Sequence, residues 1–246
     1  MHYIADMHTH TVASTHAFST ITENAVWSSK HGIRYLGMTD HGVAMQDAPD
    51  TWHFENLKIL PDCLEGVRVF RGIEANILDT EGNTDIYPDK KEIYYGILEW
   101  VNVSMHLQTF TPSTKTEHTK AYINALKDPH VDVISHPDGV RYDYDFDEVA
   151  RACAAYGRLI EVNECRLERG GASYDRYRQI LECCEKHGTR IIVSSDAHFY
   201  THIGVFELAD KLLTETGFPE ELVINADEER FLGYIRSRKE RISNNV

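Results

Sequence analysis

The sequence has few cysteines and no long apolar run. Its five cysteines are odd in number and none stand in CxxC spacing, so neither a disulfide framework nor a zinc ribbon is expected. No stretch reaches the roughly 18 apolar residues of a membrane-spanning helix. Residues 1–10 also lack the basic region and apolar core of a secretory signal. These absences predict a soluble, cytoplasmic protein with reduced thiols and no membrane partner.

Positive charge is also scarce. The 25 Lys and Arg residues face 39 Asp and Glu residues, which gives a formal net charge of -14. A broad footprint on a nucleic-acid backbone needs clustered basic residues, so no stable nucleic-acid partner is expected. A small anionic substrate stays compatible, because cations bound in a cleft would reverse the local field. The C-terminal basic residues are expected to form a solvated helix face: Arg236, Arg238, Lys239 and Arg241.

Short apolar runs alternate with amphipathic helical segments along the whole chain. Seven runs are typical of strands, and this alternation favours parallel strands joined by helical crossovers. The 246 residues fit a single domain over 1–246, and a closed α/β barrel of about 250 residues is a common solution at this size. The predicted strands begin near residues 4, 35, 67, 98, 131, 159 and 190.

Six of the seven predicted strands end in histidine, aspartate or glutamate. His8 and His10 stand first, and side chains at i and i+2 of an extended segment point the same way. A barrel gathers the carboxyl ends of its strands on one rim, so the polar strand ends should converge. The nine candidates are His8, His10, His16, His41, Glu74, His106, His136, Asp196 and His198.

Imidazole and carboxylate ligands without thiolate suit zinc, manganese or iron. Each ion takes about four to six ligands including water, so nine candidates indicate two or three ions. Glu74 is the only acid at its strand end and is the natural carboxylate to bridge two of them. We expect Asp6 and Asp40 to orient histidines. Arg166 or Arg169 could clamp a phosphate through a bidentate contact, and Arg166 is favoured, although a solvated loop position is the alternative for both.

The motifs DMHTH, TDHG, GIEAN, SMH, SHP and SDAH occur in this order across nearly the whole chain. In this arrangement the sequence resembles the polymerase-and-histidinol-phosphatase (PHP) family, and HTVASTHAFST and TWHF resemble its stand-alone phosphatase branch. The resemblance implies a distorted seven-stranded (β/α)7 TIM-like barrel with a trinuclear metal site. It also implies three ligand groups, which are His8, His10, Glu74 and Asp196; Glu74, His106 and His136; and His16, His41 and His198.

The expected function is hydrolysis of small phosphomonoesters by a hydroxide that bridges metal ions. The cofactors would be three divalent ions, zinc first, with manganese or iron as alternatives. Asp196 is the candidate to orient or deprotonate the nucleophile, or it acts as a ligand only. The alternatives are a phosphodiesterase or exonuclease acting on small nucleotides or oligonucleotides, and a non-catalytic metal-binding module. The sequence does not name the substrate, and it leaves a homo-oligomer open.

Overall fold

Seven parallel strands follow one another around a nearly closed barrel, in the order in which they occur along the chain. The structure is a computed structural model, and it describes residues 1–244. The parallel strands are β1 (Ala5–Thr9), β2 (Tyr35–Met38), β4 (Val67–Asn76), β5 (Trp100–Ser104), β6 (Val133–Ile134), β7 (Leu159–Asn163) and β8 (Ile191–Ser194). The predicted α/β barrel of seven strands is confirmed. The sequence pattern missed only the two-residue β3 (Cys63–Leu64), which pairs antiparallel with β4.

Helices connect the strands, as the helical segments predicted. They are α1 (Ile21–Lys30), α2 (Thr51–Asn56), α3 (Lys91–Tyr95), α4 (Lys115–Ala125), α5 (Phe146–Tyr156), α6 (Glu164–Leu167), α7 (Gly171–His187), α8 (Glu207–Thr216) and α9 (Glu228–Ser243). Helix α1 begins at a capping box, in which Thr20 and Glu23 each satisfy a backbone N–H of the other residue. None of the helices described in residues 1–244 is long and apolar enough to cross a membrane.

The barrel closes between β1 and β8 through one buried asparagine. The side-chain amide of Asn225 donates to the carbonyls of Ala5 and Val193, both at 2.8 Å. Its side-chain carbonyl accepts the N–H of Val193 at 3.1 Å. Nearer the carboxyl ends of these strands, the N–H of His10 donates to the carbonyl of Ala197 at 2.9 Å. The first and last histidine motifs of the chain are therefore neighbours in space.

Helix α9 covers the amino ends of the strands. The ring of Phe231 lies 5.0 Å from that of Tyr35 and 5.9 Å from that of Phe70. On the same helix, Arg238 is 6% exposed, and its Nε lies 2.8 Å from Oδ2 of the fully buried Asp132.

The prediction of a solvated basic helix face is therefore wrong for two of its four residues, Arg238 and Arg241. Besides Arg238, Arg241 also pairs with Asp132, at 2.8 Å from its Nη2, whereas the side chain of Arg236 is 63% exposed. Asp132 lies 106 positions before Arg238 along the chain, so local charge patterning carried no sign of this pair.

Candidate metal centre

The buried carboxylate of Glu74 lies at the centre of the rim formed by the strand ends. Its Oε1 is 2.6 Å from Nε2 of His136 and 3.4 Å from Nε2 of His106. Its Oε2 is 2.9 Å from Nδ1 of His41, 3.3 Å from Nε2 of His8 and 3.6 Å from Nε2 of His10. Five histidines from four different strand ends therefore surround one glutamate. The strand β4 runs on to Asn76, so Glu74 lies within its strand and not at the end that the apolar pattern predicted.

The structure brings all nine predicted site residues together. Five overlapping sets of three residues have donor atoms within 4.8 Å of one another. Together the sets contain every predicted residue and add Asp47. Within residues 1–244, His16, His41 and His198 do not make one such set, because His16 groups with His41 and Asp47 whereas His198 groups with His10 and His41. The sets are His8, His10 and Asp196; His8, Glu74 and His136; His41, Glu74 and His106; His10, His41 and His198; and His16, His41 and Asp47.

Several buried polar atoms at the rim form no well-oriented hydrogen bond, although Nδ1 of His41 and Oε2 of Glu74 lie 2.9 Å apart. These atoms are Nε2 of His8, both ring nitrogens of His41, Nε2 of His198 and Oε2 of Glu74. A buried polar atom without a partner costs about 1–3 kcal/mol, and a bound metal ion would remove this cost. Lone pairs of imidazole and carboxylate are the ligands that zinc, manganese and iron accept. The donor set therefore fits a group of divalent metal ions.

A second layer of residues fixes the ring orientation of five histidines at Nδ1. The partners are Glu161 Oε1 for His8 (2.8 Å), Ser14 Oγ for His10 (3.3 Å), Asp47 Oδ2 for His16 (2.6 Å), Asn76 Oδ1 for His106 (2.7 Å) and the Asp196 carbonyl for His198 (2.9 Å). Because carboxylate and carbonyl oxygens only accept hydrogen bonds, most of these contacts place the proton on Nδ1. Nε2 is then left with its lone pair free to bind a metal ion.

Glu161 is the most important site residue that the sequence analysis did not assign. It is fully buried in β7, accepts from His8, and its Oε2 accepts the N–H of His136 at 2.7 Å and the side-chain amide of Asn163 at 3.0 Å. One carboxylate therefore positions residues from two strand ends. The sequence contained a signal for this role, because burial of an acidic side chain within the apolar run LIEVN costs free energy unless the side chain has partners.

Asp6 and Asp40 do not contact the site histidines in the way that the sequence analysis expected. Asp6 accepts the N–H groups of Ser195 and Gly204, both at 3.1 Å, and so joins β1 to the segment after β8. Burial raises the pKa of Asp6 to about 6, although hydrogen bonds from Ser195 oppose the shift. Asp40 accepts from Ser14 Oγ at 2.8 Å, and Ser14 in turn contacts His10. Asp40 therefore acts on a site histidine only through another residue.

The segment 77–86 brings a buried acid to the site. Ile77 and Thr84 pair antiparallel, so this segment is a hairpin. Asp85 is fully buried and accepts the side-chain amide of Asn76 at 2.6 Å, and Asn76 holds the ring of His106. A Cβ added to Gly42 would lie 2.3 Å from the Asp85 carboxylate, which explains the glycine after His41.

The charges of the site set the protonation of its members. Burial alone would lower the pKa of His8, but the carboxylates of Glu161, Asp196 and Glu74 raise it well above the ordinary histidine value. Burial would raise the pKa of Glu74, and the surrounding histidines instead hold it well below its usual range. Burial lowers the pKa of His10 to about 3 and that of His106 to about 4. The site therefore has ionised carboxylates beside a mixture of neutral and protonated histidines.

Two site residues have an unusual backbone conformation. His136 has a φ of 33° and Asp196 a φ of 57°, and the third such non-glycine residue described within residues 1–244 is Glu65. Positive φ costs free energy for residues other than glycine and tends to occur at functional sites. Here the positive φ turns the backbone shortly after β6 and shortly after β8. As a result, the side chain of His136 faces Glu74 and that of Asp196 faces His10.

A cleft of about 890 Å³ opens onto this cluster. Its lining includes three arginines, Arg141, Arg166 and Arg169, and six candidate ligands, which are His16, His41, His106, His136, Asp196 and His198. Nε of Arg166 lies 3.0 Å from Oδ1 of the buried Asp138. Asp138 also accepts from Ser173. Both predicted arginines thus border the cleft, and Arg141 is an addition that no sequence motif indicated.

The comparison with known proteins agrees with this architecture. The chain belongs to the PHP domain family, whose model matches residues 6–170. It is 41% identical to a probable phosphatase of Acetivibrio thermocellus over 98% of this chain and 99% of the relative. It is 38% identical to a probable phosphatase of Clostridium novyi over 97% and 96% of the two chains.

Two solved structures share the fold at low sequence identity. Histidinol phosphate phosphatase from Lactococcus lactis, complexed with zinc, L-histidinol and phosphate, has a TM-score of 0.61 at 16% identity over 89% of this chain and 95% of that one. A chain in a structure of archaeal ribonuclease P with mature tRNA has a TM-score of 0.61 at 15% identity, covering 98% and 94%. At these identities the two likenesses concern the fold alone.

Proposed function

We propose that this protein is a metal-dependent phosphatase that hydrolyses small phosphomonoesters at a site with three divalent ions. The observation that supports this most strongly is that five histidines surround the buried carboxylate of Glu74, and several of their ring nitrogens form no well-oriented hydrogen bond. The relatives named probable phosphatases over nearly the full length of the chain support the same reaction class.

We assign the ligands in three groups around Glu74. His8, His10, Glu74 and Asp196 would hold one ion, and Glu74, His106 and His136 a second. His16, His41 and His198 would hold the third. The contacts of 2.6 Å and 3.4 Å from Oε1 to His136 and His106, against 3.3 Å from Oε2 to His8, support a bridging role for Glu74. Zinc is the ion that we propose first, with manganese and iron as alternatives, because nitrogen ligands dominate the set.

Divalent ions bound here would acidify a water molecule and neutralise the charge of a phosphate group. Asp196 is the proposed catalytic residue, and its carboxylate would accept a hydrogen bond from the attacking water. The neighbouring His8 and His10 keep the pKa of Asp196 well below its usual range in spite of burial. Arg166, held by Asp138, would donate to the phosphate oxygens.

The size of the cleft favours a small phosphorylated substrate over a polymer. A volume of about 890 Å³ matches small-molecule pockets. Five free cysteines are compatible with a reducing compartment, and we propose a cytoplasmic location without a stable nucleic-acid or membrane partner.

The replacement Glu74→Ala tests the proposal, with Glu185→Gln on the exposed face of α7 as the matched control. Metal content and hydrolysis of an aryl phosphate are measured for both variants. We expect Glu74→Ala to lose bound metal and nearly all turnover, while the control keeps both. Wild-type metal content and rate in Glu74→Ala would contradict the proposal.

A panel of monoesters and diesters then separates the alternatives. A clear preference for diesters would replace the monoesterase proposal with a phosphodiesterase. Stoichiometric metal without turnover of any phosphate ester would instead identify a non-catalytic metal-binding module.

A further inference from the structure

We propose that the natural substrate has a second anionic group besides the phosphate that is removed, and that Arg141 and Arg169 bind it. This inference rests on the proposed phosphatase function and adds the substrate class. It comes from the cleft, whose lining includes three arginines, Arg141, Arg166 and Arg169, beside the candidate metal ligands.

The three arginines differ in their surroundings. The side chain of Arg166 is 23% exposed, and Asp138 holds its Nε at 3.0 Å. The proposed function assigns Arg166 to the phosphate that is removed. Arg141 and Arg169 are exposed, and within residues 1–244 no carboxylate forms an ion pair with either.

Unpaired arginines are unexpected on a protein with 39 acidic and 25 basic residues. Most other arginines pair with a carboxylate, as Arg71 does with Glu99 and Arg176 with Asp143. The only acids in the cleft lining are Asp47 and Asp196, and both already contact site histidines. The two guanidiniums at the opening are therefore available to an anion from outside.

One phosphate group does not need all of these positive charges. The metal ions and Arg166 would already neutralise it at the bottom of the cleft. Arg141 follows β6 and Arg169 follows α6, so the pair comes from two separate segments that meet at the opening. A carboxylate or second phosphate accepts paired N–H donors of arginine well. The chemistry thus points to a phosphorylated acid or a bisphosphate.

A matched pair of substrates tests this inference, namely 3-phosphoglycerate and glycerol 3-phosphate, which differ by one carboxylate. We expect a higher kcat/KM for 3-phosphoglycerate. Because a hydrogen bond to a charged group is involved, Arg141→Gln and Arg169→Gln should each reduce this preference by about tenfold. Arg151→Gln, on the exposed face of α5, is the control and should leave the preference unchanged. Equal kcat/KM values for the two substrates, or equal losses on both in the cleft variants, would overturn the inference.

Binding provides a second readout that does not need turnover. Calorimetry compares phosphonoacetate, which has a carboxylate beside its phosphonate, with methylphosphonate. We expect tighter binding of phosphonoacetate, with the difference lost in Arg141→Gln. If an aryl phosphate is hydrolysed but neither pair shows a difference, only this inference fails. If no phosphate ester is hydrolysed, the proposed function fails, and the binding comparison still decides whether the arginines recognise a second anion.

Discussion

Among single residues, Glu161 has the largest indirect effect on the site. It fixes the His8 ring and the His136 backbone from one buried position. Removal of such a partner typically costs about 10–100-fold in metal affinity. We therefore expect Glu161→Ala to bind zinc about 10–100-fold more weakly than the wild type, as measured by competition with a chromophoric chelator.

Glu161→Gln separates the hydrogen bond from the charge. The side-chain amide oxygen introduced by this substitution can still accept a hydrogen bond from His8. We therefore expect Glu161→Gln to lose less zinc affinity than Glu161→Ala. Glu148→Ala, exposed on α5, is the control and should bind zinc normally. Zinc affinity at the wild-type level in Glu161→Ala would refute this role.

The protonation of His8, His41 and His136 predicts how metal binding depends on pH. Nearby carboxylates, Glu161 for His8 and Glu74 for the others, overcome the effect of burial and raise these pKa values above 6.5. Above pH 6.5 the metal-free protein therefore still holds protons that an ion must displace. Metal affinity should rise with pH from 6.5 until the raised pKa values are passed. Calorimetry in buffers of different ionisation enthalpy measures the released protons, and binding without proton release would contradict the expectation.

Among the structural elements, the junction between β1 and β8 matters most for the site. Asn225 supplies the hydrogen bonds that join the two strands below the rim. Asn225→Ala would leave buried backbone groups without partners, each at about 1–3 kcal/mol. We expect it to lower the free energy of unfolding by about 3 kcal/mol, as measured by urea denaturation. Asn244→Ala, at an exposed helix end, is the control, and equal stability of the two variants would show that the junction does not depend on Asn225.

The elements also show what a sequence can predict. Each parallel strand was predictable from its own apolar run, and most candidate ligands from polar residues at or near the strand ends, although Glu74 lies within β4. The contacts of Glu161 with His8 and of Arg238 with Asp132 were not predictable in this way, because the partners lie 153 and 106 positions apart in the chain. Arg238 was misjudged because a basic helix end is usually solvated, whereas a buried acid at the start of β6 pairs with it.

For the whole molecule, the distribution of charge makes an acidic protein compatible with the anionic substrate that we propose. The net charge of -14 lies on a chain whose cleft has three arginines beside the metal ligands. The fold places six of the candidate ligands and three arginines around one opening, although they come from segments across most of the sequence. The charge composition alone predicted neither this opening nor the place of Arg141 in its lining. The reason is that only the folded barrel brings the segments of the lining together.

Addition of zinc to metal-free protein, with phosphate release from an aryl phosphate as the readout, tests the central claim most directly. We predict no release without metal, and turnover that rises with added zinc and saturates at about three ions per chain, as three ligand groups around Glu74 require. Phosphate release by the metal-free protein, or saturation with one ion, would contradict a site of three ions.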